Sequence, residues 1–208
     1  IDAIICVNKE LYEWSCKNMF VNNEKIILLR NFPLLKSFFV GKKEDFLKIV
    51  CLANLRKEKD HITLLKAINK IRADYPKIKF KLLLAGMYYN DSYFKEVSDY
   101  VKKNKLEKCV EIIGSVSDTS KLLFESDIGV LTSISEGLPV SLLEYGLAKL
   151  PVVATDVGYC SEVIDHGKSG FIAQSGDFKS IAEFLLILIK SKQERIKIGN
   201  KFNNNIIK

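Results

Sequence analysis

The residues best suited to chemistry lie in one stretch, residues 135–146, where an apolar strand gives way to a helix. Glu136 stands in the predicted loop and Glu144 on the predicted helix, and a carboxylate accepts two hydroxyl hydrogen bonds at once, as a vicinal diol such as ribose requires. Gly137 lets the backbone come close to a ligand, and free N–H groups at the helix start suit a hydroxyl or a phosphate. Taken alone, the two acids also fit roles without a ligand: Glu136 as a helix-capping acid and Glu144 as a solvent-exposed helix residue.

A second stretch, residues 54–60, also links a predicted strand to a predicted helix. Lys59 adds its charge to the positive end of the helix dipole at this junction. A diphosphate could be held there without a metal ion. Taken alone, the stretch also fits a charged surface loop.

Apolar runs of strand length alternate with helical patterns along the chain. We predict strands at 3–7, 25–29, 47–53, 79–85, 109–113, 127–131, 151–155 and 170–173, and helices at about 8–19, 60–73, 91–103, 118–125, 139–148, 159–165 and, in two pieces, 177–206. Strands such as 82–85 and 152–154 are apolar on both faces, which is typical of a parallel sheet covered by helices. The sequence therefore predicts a doubly wound, Rossmann-like α/β fold with right-handed crossovers.

In an open parallel sheet, ligands bind beyond the carboxyl ends of the strands. The loops expected at that edge are 54–60, 86–91, 114–118, 132–139 and 155–162. The sequence also predicts Asp60 and Asp177 as helix caps. A domain boundary is expected at residues 31–45, where Asn31-Phe32-Pro33 breaks a strand and a charged loop follows.

Several common motifs are excluded. No two glycines stand two positions apart, so there is no G-x-G-x-x-G dinucleotide turn. Glu162 occupies the position of the first glycine that a P-loop ending in Gly167-Lys168-Ser169 would need. No Asp-x-Asp pair exists, so paired acids holding a metal and a diphosphate are not expected.

Composition bounds the compartment and the partners. Five cysteines without a C-x-x-C pair predict reduced core thiols in a cytoplasmic protein, and His61 and His166 are too far apart for a local zinc site. The net charge of +7 favours anionic partners: a phosphorylated sugar donor, an anionic membrane leaflet or a nucleic acid. The basic residues between 190 and 201 fit a solvated helix face or, alternatively, a membrane-surface contact.

Together the motifs resemble the C-terminal domain of the retaining glycosyltransferase family called group 1, or family 4, which has the GT-B fold. The resemblance is carried by residues 1–7, 52–61, 154–158 and 162–171, the last being similar to the family's E-V-I-x-x-G-x-x-G, and by the spacing of Glu136 and Glu144. It covers most of the chain. Four such motifs in the family's order make a specific pattern.

The resemblance implies a role for each matched position. Glu136 would contact the donor sugar where the chemistry occurs, and Lys59 would bind the donor diphosphate; we take both as catalytic. The remaining substrate-binding positions would be Glu144 at the ribose, the backbone of Gly137, Leu138 and Pro139 at the phosphate and sugar, and Val116 at the base. Asn54 stands where many members carry an arginine. Arg56 is then the candidate to supply that charge, although alternation along an extended chain points it the other way.

The function implied is sugar transfer, with retention and without a metal or other cofactor, from a UDP-, GDP- or ADP-sugar to a glycan or lipid-linked acceptor. Residues 1–34 would be the remnant of an N-terminal acceptor domain with the interdomain crossing, and 35–208 the nucleotide-sugar-binding domain. The chain begins with Ile1 rather than Met, so we expect it to be part of a longer protein and inactive alone. A cytoplasmic location, with peripheral contact at the inner face of the plasma membrane, would suit such an acceptor.

Two alternatives stay open at this point. A GT-B epimerase or phosphorylase would be expected to place histidine and further acids in the cleft. A basic module that binds nucleic acid or a membrane surface would cluster aromatic and basic residues on one face. The aromatic residues here are instead spread through the predicted strands and helices, so we expect no nucleic-acid partner.

Overall fold

A computed structural model describes residues 1–29, 32–33, 35 and 46–207. The chain divides into two compact units, Ile1–Leu34 and Leu35–Lys208. The predicted boundary at 31–45 lies almost entirely outside the described residues. The assignment of 1–34 to an acceptor domain stays a prediction.

Within residues 1–29, the smaller unit forms two parallel strands and an α-helix. Its elements are β1 (Ile4–Cys6), α1 (Lys9–Asn18) and β2 (Ile26–Leu28), with a short 3₁₀ helix at Asn23–Lys25. Ile4 pairs with Ile26 in the parallel ladder. The Asn8 side chain accepts a hydrogen bond from the Leu11 N–H and so begins α1.

The larger unit alternates strands and helices as predicted, with small differences at their ends. Its elements are β3 (Leu47–Leu52), a 3₁₀ helix (Lys57–Lys59), α2 (His61–Asp74), β4 (Phe80–Ala85), α3 (Ser92–Lys103), β5 (Val110–Gly114), α4 (Thr119–Phe124), β6 (Ile128–Leu131), α5 (Val140–Leu147), β7 (Val152–Thr155), α6 (Cys160–Val163), β8 (Phe171–Ala173), α7 (Phe178–Lys190) and α8 (Lys192–Ile206). The predicted α/β class is confirmed.

The six strands form one parallel sheet in the order β5-β4-β3-β6-β7-β8. Leu82, Val130 and Val153 in the strands are fully or almost fully buried, because helices cover both faces of the sheet. Helix starts are fixed by short acids: Asp60 accepts from the Thr63 N–H, and Asp177 accepts from the N–H groups of Lys179 and Ser180. Both predicted caps are confirmed.

The strand order reverses between β3 and β6. Strands β3, β4 and β5 follow one another toward one side, and β6, β7 and β8 toward the other. The two central strands pair at Ile49–Ile128 and Val50–Gly129 but no further. Beyond that point the buried hydroxyl of Tyr145 fills the gap: it accepts from the Leu52 N–H at 2.7 Å and lies 3.3 Å from the carbonyl oxygens of Val50 and Val130. A crevice at such a switch point is where ligands of open α/β sheets bind.

Candidate functional site

The loops after β3 and β6 are fastened together at the switch point. The Thr132 hydroxyl lies 3.2 Å from the Lys59 carbonyl oxygen and 3.0 Å from that of Asp60. The Ile134 N–H donates to the Glu58 carbonyl at 2.8 Å. These bonds bring the 54–60 and 132–139 segments, distant in sequence, to one edge of the sheet.

The contact between these two segments is buried at Thr132 and continues to the next strand. Thr132 is fully buried, so its hydroxyl would be costly to leave without partners. The neighbouring Thr155, at the end of β7, donates to the Ser133 carbonyl at 2.7 Å and extends the contact to that strand. The loops that carry the charged side chains are therefore held together by threonine hydroxyls that donate to backbone carbonyls and by one bond between backbone groups.

Lys59 and Glu136 form an ion pair at this edge. The Lys59 Nζ lies 2.6 Å from the Glu136 Oε1, and their side chains are 23% and 9% exposed. The Ser133 hydroxyl donates to the same oxygen, also at 2.6 Å. Within residues 46–207 no hydrogen bond reaches the other oxygen, Oε2, which leaves it able to accept from a ligand.

Lys59 and Glu144 line the same cavity, whose volume is about 270 Å³. Glu144 projects from α5, and its Oε1 accepts a 2.8 Å hydrogen bond from the hydroxyl of Thr119, the first residue of α4. Burial raises the pKa of the Glu144 carboxyl, and the Thr119 hydrogen bond opposes that rise. The remaining wall of the cavity is made by Leu52, Ala53, Asn54, Ala85, Gly86 and Ser141.

The backbone of residues 137–139, which we predict to line the phosphate and sugar site, lies at the start of α5. Pro139 is the residue just before the first helical residue, Val140. The Gly137 carbonyl accepts from the Tyr159 N–H at 3.1 Å. Gly158 has φ +54 and packs so closely on the carbonyl groups of Glu136 and Gly137 that any Cβ there would collide with them. Leu138, between these contacts, is half-buried.

Of the remaining predicted site residues, one lines the cavity and two do not. Asn54 lines the cavity, but its Oδ1 is already engaged by the Met87 N–H at 2.9 Å and so fastens the loop after β4. Arg56 is exposed on extended backbone and is absent from the residues that line the described cavity. Val116 is half-buried against the core and is likewise outside that lining. The roles of Arg56 and Val116 stay predictions.

The sequence analysis did not predict three further side chains at this edge, those of Thr119, Ser133 and Tyr145. Thr119 and Tyr145 reach Glu144 and the central strands only because the fold brings distant parts of the chain together. Ser133, by contrast, reaches Glu136 three residues further along the same loop. A serine at the carboxyl end of a buried strand, as Ser133 is, could have drawn attention by its position alone.

His61, Cys51 and Cys160 are buried, and none of the three lines the cavity that contains Lys59 and Glu144. His61 is buried, which lowers its pKa to about 4, so its ring is neutral near pH 7. Burial raises the pKa of the Cys51 and Cys160 thiols to about 12, so these are protonated core groups. Among the described residues, no group of three His, Cys, Asp or Glu side chains is arranged to hold a metal ion. The described helices also include none long and apolar enough to cross a bilayer.

The profile of the family described as glycosyl transferases group 1 matches residues 35–205. Because this match covers most of the chain, the chain belongs to that family.

Two curated relatives indicate the range of that family. N-acetyl-alpha-D-glucosaminyl L-malate synthase of Bacillus anthracis is 27% identical over 184 residues, which is 88% of this chain and 46% of the relative. UDP-Gal:alpha-D-GlcNAc-diphosphoundecaprenol alpha-1,3-galactosyltransferase of Escherichia coli is 24% identical over 221 residues, which is 96% of this chain and 56% of the relative. The chain thus spans about half the length of these relatives.

A solved structure shows the likeness of fold. The crystal structure of Anabaena HepE in complex with UDP and glucose matches with a TM-score of 0.79 at 18% identity, covering 99% of this chain and 58% of that chain. The parallel six-stranded sheet flanked by helices is therefore that of GT-B glycosyltransferases.

Proposed function

We propose that the larger unit is the donor domain of a retaining, metal-independent glycosyltransferase of family 4, and that it binds a nucleoside-diphosphate sugar. The observation that carries the proposal is the 2.6 Å contact between the Lys59 Nζ and the Glu136 Oε1 at the strand-order switch point. Lys59 also shares a cavity with Glu144. One cation from the loop after β3 and two acids from the loop and helix after β6 thus converge where an open α/β sheet binds its ligand.

The donor is arranged along this edge by charge. The diphosphate lies against Lys59, since an ammonium group has three donors and can hold phosphate oxygens while keeping its bond to Glu136. The ribose lies against Glu144, whose carboxylate accepts from its hydroxyls. The sugar lies against Glu136, with Gly137 and the start of α5 bringing N–H groups to the phosphate and sugar.

The chemistry is the departure of the diphosphate. As the bond from the sugar's anomeric carbon to the phosphate oxygen breaks, negative charge grows on the phosphate, and Lys59 stabilises it. The acceptor hydroxyl forms its new bond to that carbon on the same face, so configuration is retained. Its proton passes to the leaving phosphate oxygen. No metal ion is needed where a fixed cation already faces the diphosphate.

The acceptor is bound outside the donor domain. We propose a glycan or lipid-linked acceptor that is held by an N-terminal domain, of which residues 1–34 are the last part. The name of one relative gives a glucosaminyl malate as its product, and the name of the other gives a diphosphoundecaprenol-linked substrate, so family membership leaves the acceptor open.

Peripheral contact with an anionic membrane from the cytoplasmic side is part of this proposal. The basic residues near the C-terminus are the candidates for that contact. Arg195 donates to the carbonyls of Leu188 and Ile189, and Lys190 lies over the Tyr75 ring. These two cations already have partners within the fold, which leaves fewer charges for a membrane.

The proposal is tested by thermal shift and calorimetry with UDP-, GDP- and ADP-sugars, with and without EDTA. We expect one donor class to raise the melting temperature equally in both conditions, because a ligand that binds only the native state stabilises it. Lys59→Ala should weaken that donor by about tenfold or more, the scale of one charge-assisted hydrogen bond.

Lys57→Ala is the matched control, since Lys57 is an exposed lysine of the same 3₁₀ helix. Its donor affinity should equal that of the unchanged protein. Equal donor affinity of the Lys59→Ala and Lys57→Ala variants would refute the assignment of Lys59, and loss of binding in EDTA would refute metal independence.

A further inference from the structure

The Glu144 carboxylate is held from one side only. Its Oε1 accepts from the Thr119 hydroxyl at 2.8 Å, whereas within residues 46–207 no hydrogen bond reaches its Oε2. Both side chains line the cavity that also contains Lys59. The Glu144 carboxylate therefore presents one fixed oxygen and one open oxygen to the cavity.

Thr119 is well placed to fix that carboxylate because its own position is rigid. It is the first residue of α4, just after the cap Asp118, whose side chain accepts from the Ser120 N–H at 3.0 Å. Its β-branched side chain has few rotamers. The pair joins α4 to α5, two helices that follow strands β5 and β6, and these strands are separated in the sheet by β4 and β3.

A glutamate side chain that is free to rotate must be ordered when a ligand binds, and this ordering weakens binding. A hydrogen bond that fixes the carboxylate beforehand removes part of that cost. A hydroxyl is also a neutral partner, so it orients the carboxylate without cancelling the charge that strengthens a hydrogen bond from a ligand hydroxyl.

We propose that Thr119 is a positioning residue for nucleotide binding, which holds the Glu144 carboxylate so that its open oxygen accepts from a ribose hydroxyl. The proposal rests on the donor-site function proposed above. It assigns to Thr119 an effect on ribose recognition that acts through Glu144, not a direct contact with the nucleotide.

The test compares each nucleoside diphosphate with its 2′-deoxy and 3′-deoxy analogues by calorimetry on this chain, using the uridine, guanosine and adenosine series. A charge-assisted hydrogen bond is worth about 1.5–3 kcal/mol, so the unchanged protein should prefer one ribose form over its deoxy analogue by about 10- to 150-fold. Thr119→Val, which keeps the shape and removes the hydroxyl, should reduce that preference by about fivefold, the scale of one net hydrogen bond.

Thr119→Ser keeps the hydroxyl and should restore the preference, which a purely structural role of the threonine methyl group would not allow. A second comparison is made in the Glu144→Ala background. There Thr119→Val should have no further effect on the ribose preference, because no carboxylate is left to position. The comparison in one background also cancels any general loss of stability, which melting temperatures record separately.

The outcomes separate the two proposals. If none of the three nucleotide series binds, the donor-site function is refuted and this inference with it. If a nucleotide binds with a ribose preference that Thr119→Val leaves unchanged, the role of Thr119 is refuted and the donor site stands. If Thr119→Val lowers the preference equally with and without Glu144, Thr119 contacts the ribose directly and the positioning role is refuted.

Discussion

The two edges of the sheet differ in what their cavities contain. The cavity at the amino-terminal edge is the larger, at about 690 Å³, and its wall includes Lys79, Asp127, Lys149 and Arg195. The cavity at the carboxyl-terminal edge, at about 270 Å³, is lined by Lys59 and Glu144 among others. Volume alone would favour the cavity at the amino-terminal edge as the ligand site.

Asp127 and Arg195 at the amino-terminal edge have partners within the fold. The Asp127 Oδ2 accepts from the Lys48 N–H at 3.0 Å, and Arg195 donates to carbonyls at the end of α7. Lysines that follow the ends of helices, as Lys149 follows α5, stabilise the negative end of the helix dipole.

At the carboxyl-terminal edge, by contrast, Glu136 and Glu144 each keep one oxygen without a hydrogen bond from residues 46–207. Open acceptors beside a cation can serve a ligand, whereas satisfied groups stabilise the fold. The comparison therefore shows that carboxylate oxygens without a hydrogen-bond partner indicate the candidate site better than cavity volume does.

The largest expected effect comes from one glycine at each edge. Gly158 packs on the carbonyls of Glu136 and Gly137, and Gly199 of α8 packs on the carbonyl of Lys149. Alanine at either position should destabilise the fold by about 1–3 kcal/mol through overpacking, and Gly158→Ala by about 1 kcal/mol more because φ there is +54. Urea unfolding measures both losses.

Only Gly158→Ala should also weaken donor binding, because it displaces the loop that carries Glu136. Calorimetry at a temperature where both variants are folded provides the comparison. Equal donor affinity in the two variants would contradict the assignment of function to the carboxyl-terminal edge.

The next largest effect compares one acid at each edge of the sheet, Glu136 and Asp127. Glu136→Gln should lower donor-sugar affinity by about tenfold or more, since it weakens the bond to Lys59 and the charge offered to sugar hydroxyls. Asp127→Asn should cost about 1 kcal/mol of stability and leave binding unchanged, because Asp127 supports the Lys48 backbone. Titration with the identified donor and urea unfolding check the two outcomes. A binding loss in Asp127→Asn that matches that of Glu136→Gln would reverse the comparison.

The smallest effect concerns the pH dependence of stability. Burial raises the pKa of Glu144 in the folded state above its unfolded value. The stability linked to its protonation is therefore present below the unfolded pKa of about 4.3 and is lost as pH rises through the folded pKa. Glu144→Gln, which carries no charge, should raise the melting temperature slightly at pH 7, because the carboxylate is only half-buried and solvent screens it.

That advantage should shrink as the pH is lowered toward 4, while donor affinity of the variant stays below that of the unchanged protein. Glu162→Gln, at an exposed position of α6, is the control and should show no such trend. A melting temperature of Glu144→Gln below that of the unchanged protein at pH 7 would show that the charge is not a cost there.

The sequence by itself determined the order and class of the elements. Apolar runs such as 82–85 are buried on both faces only in a covered parallel sheet, and Asp60 and Asp177 mark helix starts through local hydrogen bonds. The loops at the carboxyl edge could then be predicted too, because parallel strands all end on the same side of the sheet. These signals are local or periodic, so they can be read along the chain.

Only the tertiary structure decided which groups meet. The Thr119–Glu144 bond, the Lys59–Glu136 ion pair and the bond of the Tyr145 hydroxyl to β3 join residues that are at least 25 positions apart in the sequence. The Asn54 side chain likewise accepts from the Met87 N–H, which the pairing of β3 with β4 brings close to it. Such contacts depend on the order of strands in the sheet, because the order determines which loops become neighbours, and no local preference of the chain encodes it.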